Sequence, residues 1–154
     1  MISFSQFRPK HLIWLCLASF LGTYCNYTLK IKDGTTAVQR KQYDEAIPML
    51  EKEISKSKSK VQKGKLAYML GESWRLQGND EKASKWYQMA YDNAYGPEAL
   101  RAYAFGLKKL GLYEEAKAKF KDTGIEIGSP YEYRKEITAC VVSQAWLKEM
   151  DKNE

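Results

Sequence analysis

Three short stretches of this 154-residue chain superimpose on one small side chain: "RKQYDEAIPML" at 40–50, "LQGNDEKASKWY" at 76–87 and "KLGLYEEAKAKF" at 109–120. Aligned on Ala46, Ala83 and Ala116, which lie 37 and 33 residues apart, they place Leu50, Tyr87 and Phe120 four positions further on. Self-similarity at such a period constrains the fold more than composition does, because each period must be one supersecondary unit that buries its apolar face only against its neighbours. An offset of four is one helical turn, so each Ala shares a helix face with the large residue after it. Upstream, Trp74 stands four residues before Gly78 and Leu107 four before Gly111; Gly71 precedes Trp74 by three, and Gly34 holds the matching position in the first unit.

Each shared position has a physical reason. A small residue on one helix and an Ala on the next let two axes approach to about 8–10 Å, and large side chains fill the space beside that contact. Gly71, Trp74, Ala83, Tyr87, Leu107, Ala116 and Phe120 are the predicted packing positions. Between the halves of the second unit, Gly78-Asn79-Asp80 reads as the turn, Gly78 stopping one helix and Asn79 or Asp80 capping the next. In the third unit Pro97 opens a helix, where its missing N–H is not needed, and Gly111 closes it. The first unit is weaker, with Lys30 and Asp33 where large apolar residues are expected, and reads as a partial cap.

The pattern predicts an all-α protein: a solenoid of about three helix-turn-helix pairs at 27–63, 64–96 and 97–130, then a capping helix and polar tail over 131–154. Ser129 with Glu132 forms a capping-box pattern and Pro130 takes the first helical position. Ile137, Cys140, Val141, Gln144, Trp146 and Leu147 recur at helical spacing, so the last helix is expected from about Pro130 to Met150, closing the stack. The run "SKSKSKVQKGK" at 55–65 carries five Lys and no acid and reads as a lysine-rich loop between helices. Its lack of interleaved aromatics argues against nucleic acid.

The first 24 residues are expected to be a signal segment. Arg8, Lys10 and His11 precede ten apolar or small residues, Leu12 to Leu21. Such a run is too short for a bilayer core, which takes about 20 residues, but it suits the h-region of an export signal. Cys25 follows as a candidate for lipidation, although Tyr24 and Gly22 depart from a lipobox. Cleavage by an ordinary signal peptidase and retention as an N-terminal anchor are the alternatives. The formal charge of +6, or +4 without Arg8 and Lys10, is mildly basic and selects no partner class. Loss of Cys16 and acylation of Cys25 would leave Cys140 alone, and with no His after position 11 it reads as a small buried hydrophobe.

The W-x₂-L-G-x₂-Y…A-x₃-F pattern, carried here by Leu70-Gly71, Trp74, Ala83 and Tyr87, resembles the tetratricopeptide repeat over about Tyr27 to Pro130. The resemblance implies a concave groove lined by the first helix of each pair. Spacing by one turn from the motif places Lys65, Tyr68, Glu72 and Arg75, with Arg101, Phe105, Lys108 and Lys109, on that face. That is a basic, aromatic-containing groove for an acidic peptide segment, set against a merely solvated helix face. The Asn positions of carboxylate-clamp arrays are missing, so that partner class is not carried over. The order Cys25-Asn26-Tyr27-Thr28-Leu29-Lys30, the repeats and Cys140…Ala145-Trp146-Leu147 is similar to the start of large bacterial outer-membrane lipoproteins. In these a tetratricopeptide segment precedes a β-propeller and an OmpA-like peptidoglycan-binding domain, and some members serve type IX secretion and gliding. On that resemblance the chain ends where the propeller would begin.

The expected role is therefore a non-enzymatic scaffold exported to the periplasmic face of the outer membrane. It would be tethered through Cys25 or the N-terminal segment and bind another envelope protein through the groove. An inner-membrane-anchored adaptor and a regulatory subunit that positions an enzyme are the alternatives. No phosphate loop, metal-ligand spacing or nucleophile-base pair occurs, so no cofactor, metal, small-molecule substrate or nucleic acid is expected. The sequon at Asn26 bears only on a eukaryotic secretory setting.

Overall fold

The structure, a computed structural model, describes residues 31–152. The signal segment, Cys25 and the Asn26 sequon lie outside the described residues. Among the described residues the chain is all-helical, with no strand. The helices are α1 Gly34–Gln39, α2 Tyr43–Lys56, α3 Lys60–Leu76, α4 Asp80–Asp92, α5 Pro97–Lys109, α6 Tyr113–Glu126 and α7 Arg134–Met150. Successive helices pack on one another from α1·α2 through α6·α7, and α1 also touches α3.

One turn chemistry recurs at the ends of five of these helices. After α3, Asn79 N–H donates to the Trp74 carbonyl (2.9 Å) and Gly78 N–H to the Arg75 carbonyl (3.0 Å), with Gly78 at φ +80°. This pair of bonds satisfies carbonyls that the last turn of a helix leaves without partners. The same pair closes α1 at Lys41-Gln42, α4 at Ala94-Tyr95, α5 at Gly111-Leu112 and α6 at Gly128-Ser129. Asn79 then caps α4, its side-chain oxygen accepting from Lys82 N–H at 3.0 Å. Pro97 opens α5.

The core is built from the aligned small and large positions. Ala46, Leu50, Ala83, Tyr87, Ala116 and Phe120 are buried, as is Leu107. A methyl group on Gly71 would sit 2.7 Å from the Tyr87 ring, and one on Gly34 would sit 2.7 Å from Leu50. The two glycines thus meet the equivalent large residues of their units, and only a missing Cβ permits that approach. Trp74 is half-buried beside the same seam, with the Lys82 ammonium 3.9 Å from its ring centroid.

The first helix of the first unit, α1, is only six residues long and is capped by Asp33, whose carboxylate accepts from Thr36 N–H at 2.7 Å. Three expectations need correction. The lysine-rich run is mostly helix: α2 ends at Lys56, Ser59 caps α3 through Gln62 N–H, and the connection is Ser57–Ser59. Exposed lysines are good helix formers, so charge density does not make a loop. The capping box at Ser129 does not form, and α7 starts at Arg134 after Tyr133, which makes no side-chain cap. Residues Pro130–Tyr133 form a turn instead, which brings Tyr133 onto Phe120 at 5.6 Å between ring centroids while Ser129 and Pro130 lie over Gly124. Finally, α7 closes the stack only in its first half. Cys140 is buried and Ile137 packs on the same cluster, but Val141, Trp146 and Leu147 are exposed.

Candidate functional site

A cleft of about 370 Å³ opens between α3, the start of α4, and α5. Helix α3 supplies Tyr68, Glu72 and Arg75, which stand at spacings of four and three and so share one face. Asp80, Ala83 and Tyr87 come from α4, and Arg101, Ala102, Phe105, Gly106 and Lys109 from α5. Ala83, Gly106 and Ala102 keep the floor low and Tyr87 is buried in it, while Phe105 stands partly exposed as one wall. The Phe105 ring is held edge-on to Phe120, with centroids 4.9 Å apart and planes at 80°. On the opposite wall Tyr68 stacks on Tyr95 at 4.4 Å. These contacts fix the aromatic walls before any ligand arrives.

A hydrogen-bonded trio ties the two halves of the second unit together across the cleft. The Tyr87 hydroxyl donates to Glu72 Oε1 at 2.5 Å, and Arg75 Nη2 pairs with Glu72 Oε2 at 2.6 Å. Burial pushes the Glu72 carboxyl up, but the Arg75 guanidinium and the Tyr87 hydroxyl outweigh it and hold the group below its ordinary value. Burial, reinforced by the bond to Glu72, pushes the Tyr87 phenol well up, so it stays a donor. Glu72 in turn holds the Arg75 guanidinium above its ordinary value.

Of the eight residues assigned to the groove from helical phase, six line this cleft: Tyr68, Glu72, Arg75, Arg101, Phe105 and Lys109. Lys65 is exposed on α3 away from the lining, and Lys108 turns to α7, where its ammonium meets Glu136 at 2.5 Å. The expected basic character is largely cancelled. Arg75 is paired with Glu72, and Lys109 with Asp80 at 3.1 Å. Arg101 has no hydrogen bond or ion pair among the described residues and is exposed at the mouth of the cleft. Asp80 was visible in the sequence only as a candidate cap, and its role as partner to Lys109 needs the turn to fold two helices together. The one described cysteine, Cys140, is buried, and burial pushes its thiol up. No cluster of three potential metal ligands occurs among the described residues, and no described helix is long and apolar enough to cross a membrane.

Fold and site define a class: an all-helical protein, among the described residues, with an aromatic-walled cleft between packed helices and one uncommitted guanidinium at its mouth. The chain belongs to the family described as a domain of unknown function, DUF6340, which matches residues 32–120. The matched segment runs from the approach to α1 through Phe120 in α6 and contains every residue lining the cleft. No curated protein matches the chain.

Proposed function

We propose that this chain is a tetratricopeptide-type helical scaffold that binds a segment of a partner protein in the cleft between α3, α4 and α5. The observation that carries it is Arg101: a guanidinium unpaired among the described residues, at the mouth of an apolar, aromatic-walled cleft whose other ionic groups satisfy one another. A ligand suited to it sets one carboxylate against Arg101 and inserts an apolar side chain beside Phe105 and Ala83. Recurrence of the small-large contacts, Gly34 on Leu50 and Gly71 on Tyr87, supports the solenoid reading of the fold. The expected export signal and Cys25 support placing this scaffold at the cell envelope, tethered at the outer membrane and acting without catalysis.

The test is selection from a random 12-residue peptide display library on the full chain, repeated on Arg101→Glu and Phe105→Ala. Enriched peptides are expected to share an acidic residue next to a large apolar one, and to lose at least about tenfold in affinity with Arg101→Glu, the equivalent of about 1.4 kcal/mol. Enrichment without acidic residues, or binding indifferent to both substitutions, would overturn the assignment.

A further inference from the structure

The end of the α2–α3 hairpin carries charge that nothing in the fold answers. Lys56 closes α2, Lys58 lies in the connection and Lys60 opens α3. All three are exposed and make no hydrogen bond or ion pair among the described residues. Five lysines further along the chain, Lys85, Lys108, Lys109, Lys117 and Lys119, each meet a carboxylate. The N-terminus of a helix favours negative charge, and α2 and α4 to α7 each carry an acid in the first turn. Helix α3 carries none there and sets Lys60 at its positive end instead. A local arrangement that works against the fold, with no compensating contact inside it, points to use by something outside. Beside these lysines Val61 is 67% exposed.

The chain enters the described helices at the same corner. Gly34 N–H donates to Glu53 Oε1 at 2.8 Å, and a methyl group on Gly34 would meet Leu50, so the start of α1 lies beside the last turns of α2. Lys32, just ahead of α1, is exposed and likewise unpaired among the described residues. The two acids at this corner turn into the fold: Glu53 accepts from Gly34, and Asp33 accepts from the Thr36 N–H and hydroxyl. Glu51, the nearest exposed acid on α2, stands five positions before Lys56, about 7.5 Å back along the axis. A methyl group on Gly64 would sit 2.6 Å from the Asn93 carbonyl, which places the α4–α5 turn next along this edge; there Asp92 and Glu98 are exposed, and the basic surface stops.

We propose that the corner formed by Lys32, Lys56, Lys58, Lys60 and Val61 rests on an anionic lipid bilayer, the ammonium groups meeting lipid phosphates and Val61 entering between the headgroups. The choice of a bilayer rests on the membrane tether proposed above. Leu21, at the end of the apolar run, and Cys25 precede Ile31 by ten and six positions. An extended chain spans at most about 3.5 Å per residue, so either tether would hold this corner within about 35 Å of the membrane. Tethering supplies the lipid at high local concentration, and each lysine near an anionic surface adds about a fivefold gain in association. The five residues offer no aromatic ring on which a base could stack.

Amine labelling of the full 154-residue chain, followed residue by residue by mass spectrometry, tests this on two kinds of vesicle. One is pure phosphatidylcholine; in the other about a third is phosphatidylglycerol. Lys32, Lys56, Lys58 and Lys60 are expected to label at least about fivefold more slowly on the anionic vesicles, with Lys41 at the opposite edge unchanged. Salt at about 1 M, where the screening length is about 3 Å, is expected to erase the difference. Replacing Lys56, Lys58 and Lys60 together by Gln should remove the protection of Lys32, and replacing them by Arg should keep it. These positions are exposed, and circular dichroism verifies that both variants are folded. Equal labelling on the two vesicles would overturn the proposal; if the chain floats with both, the tether stands and the corner alone fails. Slower labelling on anionic vesicles by a chain that does not float with neutral ones would keep the corner without the tether. Protection that extends equally to Lys41, or that a DNA duplex supplies and anionic vesicles do not, would also overturn it.

Discussion

Glu72 does at the residue scale what the cleft as a whole does: it satisfies internal partners and leaves Arg101 alone. Its carboxylate accepts from the Tyr87 hydroxyl and from Arg75, joining α3 to α4. Because the folded group lies below its ordinary value of 4.5, the unfolded chain binds the proton more readily. The stability Glu72 contributes is therefore present in full above about pH 4.5 and is lost as pH falls through the lower folded value. Glu72→Gln is expected to lower stability at neutral pH by about 1 kcal/mol, since the amide still accepts from Tyr87 but loses its charge-assisted bond to Arg75. The variant should also lose stability less steeply between about pH 5 and 3, as denaturant melts across that range would record. Helical phase in the sequence brought Glu72 and Arg75 to one face, but the Tyr87 bond depends on how α3 and α4 nest, which phase alone does not specify.

Among the elements, the turns were the most legible. Gly78 and Gly111 announce left-handed positions because no side chain is strained there, and both adopt φ near +80°. The equivalent positions after α1 and α4 are Lys41 at φ +59° and Ala94 at φ +62°, where no glycine advertised the turn. Holding an L residue in that region costs about 1 kcal/mol, and Ala94 is exposed, so nothing else is lost by removing its methyl. Ala94→Gly is expected to stabilise the fold by about 0.5 kcal/mol after the greater freedom of glycine in the unfolded chain is set against the relief of strain. A rise of a few degrees in the thermal midpoint would register it, and a fall would show that the turn is not strained. Capping patterns were less reliable than glycines: the Ser129–Glu132 signal starts no helix, and the turn that replaces it stacks Tyr133 on Phe120.

Across the whole molecule, protection is uneven. Buried residues form one cluster from Ala37 to Ala99 and another from Ala104 to Cys140, and beyond Cys140 no residue of α7 is fully buried. Amides in the last two turns of α7 are expected to exchange faster than those of α3 to α6. Equal protection along α7 would contradict this. The sequence by itself determined the all-helical class, the place of the turns and the small-large contacts, because these depend on residues within one or two helices of each other, where a period and a glycine are sufficient signals. Tertiary structure alone decided which charges stay available and which apolar face stays uncovered. Lys108 meets Glu136 and Lys109 meets Asp80 across 28 and 29 residues of chain, and Trp146 is exposed because no described helix covers it. Charge pairing and burial are properties of neighbours in space, and a one-dimensional pattern carries no record of a neighbour that lies in another helix or is missing.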